Sequence, residues 1–109
     1  MPTVDIHFKN NISIEKGNKL MDSLSKILAE KLSCDENQLT EKDFSIRLHF
    51  PRGRMSDVEI SIFAHDYQAR VVRQDKIACE TRDILCREFS ELGKITVSLL
   101  LVNYGYSFE

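Results

Sequence analysis

The first residues of the chain are the strongest chemical candidates in the sequence. Met1-Pro2 leads directly into an alternating apolar segment. Because an initiator methionine is generally removed before a small residue such as proline, we expect the mature chain to begin with a secondary amine. Such an amine has a pKa of about 8 in water, and an apolar pocket beside a cation lowers that pKa. Pro2 is therefore a candidate general base for removing a proton from carbon, although many proteins begin with Met-Pro.

A second candidate is the basic turn Arg52-Gly53-Arg54. Its guanidinium groups could bind a carboxylate or a phosphate, since the planar fork of arginine matches both. The alternative is a plain exposed hairpin turn. No glycine-rich phosphate loop accompanies it.

Histidine and cysteine offer no recognisable metal site. A zinc site needs three or four ligands at characteristic spacing, and neither that spacing nor a CxxC pair is present. Cys34 follows a predicted helix, where the helix dipole disfavours a thiolate nucleophile. We therefore predict no metal and treat Cys79 and Cys86, seven residues apart on one helix face, as small buried hydrophobic residues. The histidines considered are His7, His49 and His65.

Hydrophobic periodicity indicates the elements that must position these groups. Alternation predicts strands over 3–9, 44–50, 58–62 and 95–102. Helical spacing predicts one helix over 14–32, with Ser13 as N-cap, and a second over 77–92 that ends at Gly93. The order β-α-β-β-α-β predicts an α+β fold, with one domain over 1–109 and pseudo-repeats at about 1–52 and 56–109.

The predicted sheet has four strands and two unlike faces. Right-handed crossovers put both helices on one face, where the even positions of the first three strands are apolar. The fourth strand reverses this parity. The other face, which is either solvated or packed against further subunits, collects Asp5, His7, Arg47, His49, Glu59 and Ser61 together with Phe63, Leu100 and Val102.

Composition narrows the class of protein. The chain has 109 residues, a net charge of −2 and 42% hydrophobic residues. This balance disfavours disorder and a nucleic-acid binder, which normally shows a basic patch. The longest apolar run, about Leu99–Val102, is far shorter than the roughly 20 residues of a membrane span. An odd number of cysteines favours a reducing, cytoplasmic setting.

The Met-Pro start, the element order and the length resemble the tautomerase superfamily, which includes 4-oxalocrotonate tautomerase (4-OT) and macrophage migration inhibitory factor. Pro2, then Ile6-His7 and Ser13, look like the first strand and helix start of 4-OT. Ser45-Ile46-Arg47 resembles the segment that carries its second catalytic arginine. The second half is more similar to a little-studied bacterial branch, through Asp57-Val58-Glu59-Ile60, the 74–89 helix and the Tyr104–Phe108 tail.

The resemblance implies a homotrimer whose sheets face inward. It also implies a cofactor-independent keto–enol tautomerase acting on a small 2-oxo acid, with Pro2 as general base and Arg47 binding or polarising the substrate. The first arginine of 4-OT falls near Ile12, which cannot bind a carboxylate, so Lys9, Arg52 or Arg54 would have to replace it.

Two alternatives remain open. One is a catalytically inactive trimeric scaffold or small-ligand-binding protein of the same fold. The other is a monomeric ferredoxin-like binding module with an antiparallel sheet, because that fold shares the same element order.

Overall fold

The structure, a computed structural model, describes residues 2–103, and the predicted Tyr104–Phe108 tail lies outside them. The predicted strands and helices are present, with ends that differ by a few residues. A short helix after the third strand was not predicted, and that strand runs on to His65. The elements are β1 (Thr3–Phe8), α1 (Ile14–Leu32), β2 (Ser45–His49), β3 (Val58–His65), α2 (Gln68–Val71), α3 (Gln74–Glu88) and β4 (Ile95–Val102), with 3-10 turns at Glu41–Asp43 and Ser90–Leu92.

The four strands form one mixed sheet in the order β2-β1-β3-β4. β1 pairs parallel with β2, and β3 pairs parallel with β4. The two central strands, β1 and β3, pair antiparallel. Each parallel pair is joined through a helix, as parallel neighbours require. These parallel pairs exclude the fully antiparallel sheet of the ferredoxin-like alternative.

The first helix begins and packs as its sequence predicts. The Ser13 side chain accepts a hydrogen bond from the Lys16 backbone N–H at 3.1 Å, which satisfies one of the free donors of the first turn. Leucines four residues apart then form a stripe that is fully buried against the sheet. They are Leu20, Leu24, Leu28 and Leu32.

The two long helices, α1 and α3, lie on one face of the sheet, as predicted. Even positions of β1 and β3 and odd positions of β4 supply the sheet side of the core. α3 packs beside α1, and the Ser23 hydroxyl donates to Glu88 Oε2 at 2.7 Å between them. An ion pair joins Lys31 of α1 to Glu80 of α3, and it holds the pKa of Glu80 below its usual value.

Gly93 turns the chain into β4 with a φ of +84°, a left-handed conformation that a residue with a Cβ rarely adopts. The Asp57 carboxylate accepts a hydrogen bond from the Lys94 N–H at 2.8 Å beside this turn. Within residues 2–103, no helix is both long and apolar enough to cross a membrane.

Candidate active site

Pro2 lies immediately before β1 and continues its buried face. Its carbonyl accepts a hydrogen bond from the Ser45 N–H at 3.1 Å, so the residue is fixed against the start of β2. Because β1 and β2 run parallel, their N-terminal ends lie side by side, and the loop that leads into β2 contacts Pro2 there. The candidate site therefore consists of Pro2 and the loop between α1 and β2.

A cavity of about 250 Å³ lies beside Pro2. Its other described lining residues, Asn37, Gln38, Leu39 and Asp43, all come from that loop. Asp43 is the charged residue among these described lining residues, and its carboxylate is negative. Among residues 2–103, no cationic side chain lines the cavity.

The loop is held in shape by its own polar groups. Cys34 and Asn37 exchange two backbone hydrogen bonds, each 3.0 Å long. The Gln38 amide donates to the Cys34 carbonyl at 3.0 Å. The Asp43 carboxylate accepts from the Thr40 N–H at 2.7 Å and from its hydroxyl at 3.2 Å. These bonds fix the polar wall of the cavity and leave few of its groups uncommitted.

Arg70 of α2 lies under this loop and is 1% exposed. Its guanidinium donates to the Leu32 carbonyl at 2.8 Å, to the His65 carbonyl at 3.1 Å and to Asn37 Oδ1 at 2.8 Å. The guanidinium also lies over the Tyr67 ring, 5.0 Å from its centroid. Burial lowers the pKa of Arg70 from its ordinary value, but a guanidinium stays protonated in proteins. Arg70 thus joins the end of α1, the end of β3 and the cavity loop.

Arg47 lies on the opposite face of the sheet from the buried face that Pro2 continues. Its Nε is 3.9 Å from Asp5 Oδ1, and its side chain is exposed. The same Asp5 oxygen lies 2.9 Å from His49 Nε2, and the His49 ring stacks on His7 with centroids 4.7 Å apart. The predicted polar face is therefore a connected cluster. Within one chain it is separate from the Pro2 cavity.

The remaining predicted cations lie at the other end of β1. Arg52 and Arg54 line a second cavity of about 310 Å³ together with His7, Glu59 and Ser61. Lys9 follows β1, where its N–H donates to the Asp57 carbonyl at 3.0 Å. The six residues of β1 lie between Pro2 and Lys9, and seven steps of about 3.3 Å along an extended strand separate the two residues by about 23 Å. The structure brings Arg52 and Arg54 together but not with Pro2 in the same chain.

Sequence analysis missed Asn37, Asp43 and Arg70. The topology contained a signal for Asn37 and Asp43, because a parallel β1–β2 pair places the loop before β2 beside the residue before β1. Arg70 had no signal, since a four-residue helix shows no periodicity. Ile12, near which the resemblance places the first arginine of 4-OT, packs against the hydrophobic core.

No protein-family model and no curated protein sequence matches the chain, but solved structures do. A macrophage migration inhibitory factor-like protein from Entamoeba histolytica is 16% identical, with a TM-score of 0.67 over 97% of this chain and 95% of that one. Malonate semialdehyde decarboxylase FG41, inhibited by 3-bromopropiolate, is 12% identical, with a TM-score of 0.68 over 97% and 89%. A fused 4-OT that forms an asymmetric trimer is 12% identical, with a TM-score of 0.69 over 95% and 91%.

These similarities define the class of fold. The protein is an α+β protein with a four-stranded mixed sheet, and it shares the fold of these macrophage migration inhibitory factor-like, malonate semialdehyde decarboxylase and 4-OT structures, as the resemblance found in the sequence implied. At identities of 8–16%, the likeness shows the fold. The substrate and the catalytic residues have to be argued from the geometry of this chain.

Proposed function

We propose that the protein is a cofactor-independent tautomerase that interconverts the keto and enol forms of a small 2-oxo acid, with the amine of Pro2 as general base. The observation that carries the proposal is the position of Pro2. It is buried at the start of β1, with its carbonyl bound to β2 and a cavity of about 250 Å³ beside it. Removal of Met1 would free the amine.

The catalytic amine is tested by the enol–keto conversion of phenylpyruvate. We expect Pro2→Ala to lower kcat by about 10²–10⁴-fold, the usual contribution of a general base. A matched control keeps Pro2 but acylates its nitrogen through a short N-terminal extension, and it should be equally impaired. Equal rates for the wild type and both variants would refute the proline mechanism. Intact mass spectrometry of the untagged protein tests whether Met1 is absent.

The substrate carboxylate needs a cation that the Pro2 cavity of one chain lacks among its described residues. We therefore propose a homotrimer in which Arg47, Lys9, Arg52 or Arg54 of a neighbouring subunit faces Pro2. The trimer formed by the fused 4-OT of the same fold supports self-association. The three free cysteines suit a cytoplasmic location, which is also part of the proposal.

Mixed trimers test whether the site is shared between subunits. Pro2→Ala and Arg47→Gln chains, each inactive alone, are unfolded together and refolded at equal ratio. If Arg47 serves the neighbouring subunit, random assembly restores about a quarter of the sites. A mixture that stays inactive, although native mass spectrometry shows mixed trimers, would show that Arg47 does not act across the interface.

The second candidate is an inactive trimeric scaffold or small-ligand-binding protein of the same fold. It is favoured by Ile12, which replaces an arginine, and by Asp43, whose negative charge faces the cavity. A 3-halopropiolate probe separates the two candidates. Covalent labelling of the Pro2 nitrogen would support the enzyme, whereas an unlabelled free amine would support the scaffold.

A further inference from the structure

We propose that Asn37 is a second catalytic residue, whose amide N–H donates a hydrogen bond to the keto oxygen of the substrate beside Pro2. We further infer that buried Arg70 is the positioning residue that orients this amide. The inference rests on the proposed function and deepens it, because it assigns the group that stabilises the enolate.

The orientation of the Asn37 amide follows from its partner. Arg70 donates to Asn37 Oδ1 at 2.8 Å, and a guanidinium has donors but no acceptor. An amide flipped by 180° would set N–H against N–H, so the oxygen is held on the side of Arg70. Asn37 also lines the Pro2 cavity. Its Nδ2 group has no partner within residues 2–103 and is free to donate to a ligand.

The other polar side chains of the cavity are partly engaged by the loop itself. The Gln38 amide donates to the Cys34 carbonyl, and the Asp43 carboxylate accepts two hydrogen bonds from Thr40. Asp43 would also repel a substrate carboxylate. The Gln38 amide keeps a second N–H, but none of the described residues holds its oxygen as Arg70 holds Asn37 Oδ1. Asn37 is therefore the oriented side-chain donor of the described lining, and an uncharged oxygen is the group that it suits best.

The chemistry of tautomerisation needs such a donor. When the Pro2 nitrogen takes a proton from C3 of a 2-oxo acid, the C3–H bond breaks and an N–H bond forms. The C3–H electron pair becomes the C2–C3 double bond, and the π pair of the carbonyl moves onto the keto oxygen. A hydrogen bond from Asn37 stabilises the resulting enolate oxygen without giving up its proton. The Pro2 ammonium, directly or through water, then protonates that oxygen to give the enol.

Two substitutions separate the donor from the acceptor of the same amide. Asn37→Asp keeps an oxygen for Arg70 and adds an ion pair, but it loses the N–H. Asn37→Ala loses both. We expect kcat on phenylpyruvate to fall by about 10²-fold in both variants, as for removal of one oxyanion donor, with a much smaller change in KM. The melting temperature should rise for Asn37→Asp and fall for Asn37→Ala.

This pattern distinguishes catalysis from a purely structural role. If Asn37 only holds the loop, activity will follow stability, and Asn37→Asp will retain wild-type kcat. Asn10→Asp is the matched control, because the same change is made at an exposed position outside the Pro2 cavity. It should alter neither kcat nor KM.

A pH–rate profile isolates the effect of the new charge. The carboxylate of Asn37→Asp favours the Pro2 ammonium and moves the acid limb, where the rate rises as Pro2 loses its proton, to higher pH, whereas Asn37→Ala leaves that limb in place. A loss of kcat in Asn37→Asp that disappears at high pH would mean that charge, and not the missing donor, caused it. That result would overturn the inference.

The two proposals fail in distinguishable ways. Wild-type turnover that depends on Pro2 but survives both Asn37 substitutions would overturn the role of Asn37 alone. Absence of turnover in the wild type, with a free but unlabelled Pro2 amine, would overturn the proposed function and this inference with it.

Discussion

Replacement of Arg70 by methionine tests the central support of the candidate site. Methionine has a similar length but no donors, so the Leu32 and His65 carbonyls and Asn37 Oδ1 lose the hydrogen bonds that Arg70 donates to them. A buried acceptor left without a hydrogen bond costs about 1–3 kcal/mol. Leu32 is fully buried, whereas His65 and Asn37 are half-buried and can recruit water in part.

The expected loss for Arg70→Met is therefore about 3 kcal/mol, with a range of about 2–5 kcal/mol. For a chain of 109 residues, about 3 kcal/mol lowers the melting temperature by roughly 12–20 °C. Urea unfolding followed by circular dichroism measures the free energy, and calorimetry measures the melting temperature. An unchanged slope of free energy against urea would show that the unfolded state is not affected.

Arg73→Met is the matched control for this substitution. The Arg73 side chain is exposed and donates one hydrogen bond, to the Ala69 carbonyl at 3.1 Å. Its replacement should change stability by no more than about 0.5 kcal/mol. If Arg70→Met costs no more than Arg73→Met, the three carbonyl and amide oxygens do not depend on the guanidinium, and the reasoning is refuted.

Three further predictions have defined outcomes. Thr81→Val should raise the free energy of unfolding by about 1 kcal/mol in urea titration, because the buried Thr81 hydroxyl has no partner among the described residues; a loss would mean that the hydroxyl is bonded. Gly93→Ala should cost about 2–4 kcal/mol, since φ is +84° and the new Cβ would lie 2.8 Å from Asp57 Cγ; Asp57→Ala in the same chain should recover part of this loss. Lys31 holds the pKa of Glu80 down, so this stabilisation is present above the usual glutamate pKa of about 4.3 and is lost as pH falls through the lowered value. Lys31→Met should flatten the acid limb of a stability–pH curve, and an unchanged limb would contradict the assignment.

The sequence was sufficient for the parts of the fold that depend on local periodicity. The parity of β1 and β3, the reversed parity of β4 and the Ser13 cap are properties of short segments, and they agree with the structure. α2 was missed because four residues contain about one helical turn. Arg70 was missed because burial of a charge depends on oxygens from three separate elements, which no local pattern reveals.

Less of the candidate site than of the fold could be predicted from the sequence. Pro2 and the polar face of the sheet could be predicted from residue types and alternation. The resemblance offered Arg47, Lys9, Arg52 and Arg54 as candidate cations of the site, and within one chain Arg52 and Arg54 lie at the opposite end of β1 from Pro2. Which cation faces Pro2 depends on how subunits meet, and the periodicity of one chain carries no information about that contact.

The hydrogen bond between the Pro2 carbonyl and the Ser45 N–H also affects the order of events during folding. Residues at the start of a domain are often poorly ordered unless they are tied down, and here β2 holds Pro2 although α1 and a loop separate the two in sequence. Pairing between strands so far apart in sequence forms slowly. Pro2 therefore reaches its place only after β1 and β2 have met, so recovery of a Pro2-dependent signal in a refolding experiment should lag behind helix formation.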